Sequence, residues 1–239
     1  MTTAYPGAID AFTNPTLTDD LDTAGVELDV VVSNLNDAVE AIETELGADV
    51  AGPNSDVKTR LDNLRSGNWA PDQLAYVAMA YDPLLCTTQT ALGANGTVYA
   101  TKLWVPVGTI TNIVMVVGTA GASLTANQCY AALYDDSKAF VDKTANQATA
   151  WQSTGLKTMA LGAGAYSNTT ARYMYVVVWA NGTTRPAFIR APGGNAAING
   201  ALSAANARWA SANTGITTTE PATLGTFTAT ANPYWAALS

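Results

Sequence analysis

Leu21, Leu28, Leu35 and Ile42 recur at intervals of seven, and Gly25, Val32, Val39 and Leu46 each follow one of them by four. Apolar residues spaced alternately four and three apart form one stripe on an α-helix, and a stripe that keeps this period over several turns requires another helix to cover it. With the first set at d and the second at a, the g positions hold Ala24, Val31, Ala38 and Glu45, so the apolar face widens in its middle. A wide face suits three chains, whereas valine at a with leucine at d leans towards two; the expectation is a homotrimer. Gly47 is placed to stop the helix, and Pro53 in "VAGPN" prevents its continuation. "SDVKTRLDNL" (55–64) restarts it, with Ser55 as N-cap and Val57, Leu61 and Leu64 as a second short stripe.

An amphipathic helix folded against its own domain would show the same period. Charge separates the two readings. Ten acidic residues lie between Asp19 and Asp49 with no cation among them, and such a segment needs a long solvated surface. From Met1 to Asp56 there are 12 acidic and no basic residues, while the remainder holds 7 acidic and 11 basic ones, so the net charge of −8 belongs to the N-terminal part. No basic patch is present to displace phosphate counterions, which argues against nucleic acid as a partner.

Other classes fall to simple absences. The N-terminus has neither the basic nor the apolar region of a secretion signal. The longest apolar runs, "IVMVV" (113–117) and "YMYVVVWA" (173–180), are of strand length, well short of the roughly 20 residues of a membrane helix, so no membrane insertion is expected. The chain has no histidine, which removes Ser-His-Asp and Cys-His mechanisms and His-containing zinc sites. Cys86 and Cys129 either pair or serve as small buried hydrophobes.

Beyond the turn-rich "SGNWAPD" (66–72) the apolar period changes. The runs at 97–107, 109–118, 128–135, 156–161, 172–180 and 187–191 are short and rich in β-branched or aromatic residues. "GANG", "GTAGAS", "DDSK", "GAGA" and "NGTT" separate them with turn chemistry. With 48% hydrophobic and 13% charged residues the chain is able to bury a substantial core. Short strands without intervening helices predict an antiparallel β-sandwich or jelly roll. Residues 192–215 read as a long loop, and 225–238 as a closing strand with a tied-down aromatic C-terminus. The expected organisation is mixed and mainly β: an extended arm (1–17), a helical coiled-coil stalk (18–66) and a β-sandwich head (67–239).

"YPGAIDAFTNP" (5–15), followed by "LNDAVEAIETELG" (35–47) and "DVKTRLDNL" (56–64), resembles the N-terminal region of minor tail or fibre proteins from tailed phages of actinobacteria. "KLWVPVGTITNIVMVVGTAGASLTANQCYAALYDDS" (102–137) and "ATAWQSTGLKTMAL" (148–161) resemble the β-rich heads attached to such stalks. Many of the related chains carry a His- and Gln-bearing stretch before the helix, where this one has "LTDDLDTAGVELDVVV". The resemblance implies a virion structural protein that needs no cofactor. It further implies that Tyr5, Pro6, Ile9 and Phe12 dock the arm on another virion protein. A peptide extended by Pro6 and Pro15 suits a groove, and three copies on one stalk add avidity. An arm packed on its own trimer is the plainer alternative.

Three roles fit a stalked knob: a tail-associated fibre contacting the host surface, a head fibre or capsid decoration protein, and a polysaccharide-degrading spike. For contact with host carbohydrate, Trp151, Tyr166 and Trp209, in or beside apparent loops, are the candidate stacking residues, against core packing as the ordinary role of any aromatic. Asp135 and Asp136 are candidates for a cation but are also common turn formers. No spacing among Asp72, Asp82, Asp135, Asp136, Asp142 and Glu220 selects the facing pair that a glycosidase needs.

Overall fold

The computed structural model describes residues 35–37, 39, 71–192 and 207–239, and the chain divides into two units, Met1–Gly67 and Asn68–Ser239. In the first unit Leu35, Asn36, Asp37 and Val39 are helical. Leu35 is 60% and Val39 45% exposed; among the described residues the α-helix is limited to these four, which does not support the expected coiled-coil stalk. The docking residues Tyr5, Pro6, Ile9 and Phe12 lie outside the described residues. So do Leu21, Leu28, Val32, Ile42, Leu46, Val57, Leu61 and Leu64 of the stalk.

The second unit is mainly β and antiparallel. Its strands are β1 (Ala78–Met79), β2 (Thr88–Ala91), β3 (Tyr99–Val105), β4 (Gly108–Ile110), β5 (Asn112–Thr119), β6 (Ala122–Tyr134) and β7 (Phe140–Lys143). They continue with β8 (Gly155–Ala160), β9 (Tyr166–Asn168), β10 (Arg172–Thr184), β11 (Ala187–Arg190), β12 (Trp209–Ser211), β13 (Thr228–Ala229) and β14 (Ala237–Leu238). One sheet runs β1-β14-β5-β11-β2 with β8 added to β5; the second runs β13-β12-β3-β10-β6-β7; β4 and β9 form a separate ribbon.

Strand alternation explains how the two sheets share a core. Leu103 and Val105 of β3, Cys129, Ala131 and Leu133 of β6, and Met174, Val176 and Val178 of β10 point to one side of the second sheet. They meet Ile113, Met115 and Val117 of β5, Met159 of β8 and Phe188 of β11 from the first. The opposite side of β10, with Tyr175, Val177 and Trp179, is covered in turn by Leu224 and Phe227. A central strand buried on both faces must be apolar throughout, which is why "MYVVVWA" (174–180) shows no alternation. On the outer side of the first sheet, Val114, Trp235 and Ala237 pack with Tyr76, Met79, Tyr81 and Cys86.

Several expected boundaries move. "NGTT" continues β10 instead of turning, because its Gly182 and Thr184 pair with Leu124 and Ala122 across a register shift. Gly182 belongs there for steric reasons: a Cβ would lie 2.8 Å from the Leu124 Cα and the Ser123 carbonyl oxygen. β6 therefore starts at Ala122, within the expected turn, and Ser123 and Asn127 take positive φ of 49° and 57° where it bulges. The expected loop 192–215 contains β12, and the expected closing strand divides into β13 and β14, one in each sheet. The "GANG" turn holds: Gly96 has φ +67°, and a Cβ there would meet the Ile216 backbone at 2.5 Å. The C-terminus is tied down as expected, with Leu238 fully buried and the Ser239 amide donating to the Asn112 carbonyl at 3.1 Å.

Candidate functional site

On the outer side of the second sheet, β3 and β10 carry Trp104 and Tyr173 directly opposite one another. Their ring centroids are 5.1 Å apart at 72°, an edge-to-face pair, and the residues are 54% and 49% exposed. Two residues along, Lys102 stands opposite Tyr175. The Lys102 ammonium lies 4.5 Å from the Tyr173 ring centroid and 5.7 Å from that of Tyr175. Tyr175 is buried beneath Phe227, with centroids 5.1 Å apart, so the covering segment reaches Tyr175 and leaves Tyr173 in solvent. The Lys138 ammonium sits 4.0 Å over the other participant, Phe227.

Lys102 joins this aromatic face to a cavity of about 270 Å³ whose lining includes Tyr81, Leu85, Thr101, Arg208, Trp209 and Pro233. The pairing of β12 with β3 brings Trp209 opposite Thr101, and the Lys102 amide donates to the Arg208 carbonyl at 2.7 Å. Burial holds the Lys102 ammonium below its ordinary pKa, and the charges of Arg208 and Lys138 act in the same direction. Across the cavity the Tyr81 hydroxyl donates to the Pro233 carbonyl and accepts from the Ala191 amide at 2.9 Å. Burial, first of all, pushes that hydroxyl far above the ordinary tyrosine range, so it acts as a fixed neutral dipole.

The three aromatics expected at a sugar face fare differently. Trp151 is fully buried, edge-on to Phe188 with centroids 5.2 Å apart, so it belongs to the core and not to a binding surface. Its position after β7 looked like a loop, but a 3-10 turn at Ala150–Gln152 folds the indole inward. Tyr166 is half-buried on β9, where its hydroxyl accepts from the Arg172 guanidinium. Trp209 is half-buried and lines the cavity; of the three, it alone reaches the site. Sequence reasoning passed over Trp104, Tyr173 and Lys102 because they lie inside predicted strands. The available signal was phase: Leu103 and Val105 point inward, so Trp104 between them must point out.

Five acidic residues of this unit make contacts within the fold. Asp135 accepts from the Ser137 hydroxyl at 2.7 Å and from the Ala139 amide at 2.9 Å, holding the β6–β7 turn. Asp136 is 3.5 Å from the Arg172 guanidinium. Asp142 accepts from the Lys143 and Ala163 amides, Asp82 from the Leu84 amide, and Glu220 pairs with Lys143. Among the described residues no group of three His, Cys, Asp or Glu is placed to hold a metal, and no helix is long and apolar enough to cross a membrane. Both cysteines are free thiols, Cys129 buried and Cys86 half-buried. Burial pushes the Cys86 thiol up to about 11.

Among the described residues, fold and surface define an antiparallel β unit with an exposed aromatic and cationic face beside a small cavity. No family model matches the chain, and no curated protein matches it.

Proposed function

We propose that this chain is a non-enzymatic structural protein of a tailed phage, a trimeric tail-associated fibre that presents its β-sandwich to the host surface. Residues 18–66 form the stalk that joins the copies, and Tyr5, Pro6, Ile9 and Phe12 attach the arm to another virion protein. The single observation that carries host contact is the exposed Trp104–Tyr173 pair. A large edge-to-face aromatic pair standing in solvent on two central strands that pair directly with one another is a platform whose apolar surface favours a partner. The exposed Leu35 and Val39 on the helical segment support self-association.

The test has two arms. Antibody against the head, viewed on intact particles, should label the tail, and soluble head added in excess should reduce adsorption of the phage to its host. Label distributed over the capsid would replace this reading with a head-fibre or decoration role. Adsorption insensitive to the soluble head would remove host contact from it.

A further inference from the structure

We infer that the Trp104–Tyr173 face binds a neutral hexopyranose ring of an uncharged polysaccharide, with Trp104 as the stacking residue. This deepens the proposed host contact and rests on it. The C–H face of a pyranose ring is apolar and pairs with a flat aromatic surface that stands in solvent. Trp104 offers such a surface: it is 54% exposed on the outer side of β3, while Leu103 and Val105 on either side of it point into the core. Tyr173 plays a different part. Trp104 meets it at 72°, and the Lys102 ammonium lies over its ring 4.5 Å from the centroid, so Tyr173 is the neighbour that positions the indole and not a second platform.

Size and charge choose the occupant. Two aromatic side chains of about 150–250 Å² each, half exposed, leave roughly 200 Å² for a partner, against about 800 Å² per side in a stable protein interface. That area fits a sugar ring and falls well short of what a second copy of the chain would need. The polar groups beside it carry both signs. The Lys102 ammonium lies between the Tyr173 and Tyr175 rings, 4.5 and 5.7 Å from their centroids. The Asp136 carboxylate, 54% exposed and 3.5 Å from the Arg172 guanidinium, is near enough to act on Tyr175: burial first, and then that charge, holds the Tyr175 hydroxyl above its ordinary range. A border of mixed sign gives no net field to select an anion or a cation. Sugar hydroxyls, which both donate and accept, find each kind of partner there.

The experiment presents the full chain with gluco-, galacto- and manno-oligosaccharides, and with oligogalacturonate as a charged counterpart, read by saturation-transfer NMR and by tryptophan fluorescence titration. The expected result is binding of a neutral series, with transfer concentrated on the C–H protons of one ring. Affinity should fall about tenfold, the worth of one aromatic contact, in Trp104→Ala and be largely retained in Trp104→Tyr. Leu156→Ala, which alters an exposed apolar residue of β8, should bind as the parent does. Absence of binding by all the neutral series, affinity unchanged in Trp104→Ala, or tighter binding of oligogalacturonate than of any neutral series would overturn the inference. A lower oligomeric mass of Trp104→Ala in light scattering would make the pair a contact between copies and overturn it too. If soluble head blocks adsorption of the phage but no neutral sugar binds, the inference alone fails. If a neutral sugar binds through Trp104 and soluble head leaves adsorption unchanged, the sugar site stands and the host-contact reading fails. Circular dichroism on each variant verifies that the sandwich is folded.

Discussion

The hydroxyl of Thr101 donates to the main-chain carbonyl of Tyr234 at 3.0 Å, and both residues are buried. Thr101 belongs to β3 in the second sheet, whereas Tyr234 belongs to the C-terminal segment that leads into β14 of the first. This polar contact links the two layers. The Tyr234 hydroxyl extends the link by donating to the Ala91 carbonyl at 3.0 Å.

Replacing Thr101 with valine keeps the shape and removes the donor, which leaves the Tyr234 carbonyl without that partner. The expected loss is about 1–3 kcal/mol of unfolding free energy, the cost of a buried polar group deprived of its bond. Urea unfolding followed by tryptophan fluorescence measures it. A variant as stable as the parent would mean that the link between layers is ornamental.

Phe188 stands edge-on to both Trp151 and Tyr234, with centroids 5.2 and 6.3 Å away, and is fully buried. Phe188→Ala should cost about 3–5 kcal/mol through lost burial and the cavity left behind. Trp104→Ala, at a site 54% exposed, should cost no more than about 1.5 kcal/mol. Thermal melts of the two variants side by side test the division between core and surface aromatics; comparable losses would contradict it.

Glu220 gives the sandwich an acid-sensitive tie. Burial acts to raise its carboxyl pKa, but the hydrogen bond and charge of Lys143 outweigh burial and hold it below the ordinary 4.5. A carboxyl lowered in the folded state stabilises the fold fully above its ordinary value and loses that contribution as the pH falls through the folded one. The melting temperature should therefore drop more between pH 6 and pH 3 in the parent than in Glu220→Gln, the other carboxylates being common to both. Parallel pH profiles would show that the pair adds nothing. Lys143 is further held by the Thr218 carbonyl at 3.3 Å and lies 4.6 Å from the Tyr130 ring centroid, so its position does not depend on Glu220 alone.

On the proposed trimeric stalk, Leu35→Asp combined with Val39→Asp should give monomers, because each copy would bring uncompensated charge into the seam. Multi-angle light scattering reads the mass directly. An unchanged trimer would locate self-association outside the heptads, and a parent that is already monomeric would refute the stalk.

Much of this architecture is legible in the chain itself. Alternation and turn residues place β3, β5, β6, β8, β10 and β11 approximately where they lie, because a strand's apolar phase and a turn's glycine are local requirements. The absence of histidine and the net negative charge of the N-terminal segment are likewise legible in the sequence alone. The short strands β2, β7, β9 and β12 were not legible: with three or four residues each, their apolar pattern is too brief to stand out, and they exist because a neighbouring strand supplies their partners.

The site belonged to the tertiary structure. Trp151, Tyr166 and Trp209 looked alike as aromatics near loops, yet one fills the core, one is held by Arg172, and one lines the cavity. Trp104 and Tyr173 are 69 residues apart in the chain, and only the register of β3 against β10 makes them partners. Where the covering segment ends, over Tyr175 and short of Tyr173, decides which aromatics remain exposed. Period and charge are written residue by residue, so the sequence alone specified strands, turns and an acidic heptad segment. Exposure depends on what the rest of the chain lays over a residue, and that long-range packing is settled only when the sheets close on one another.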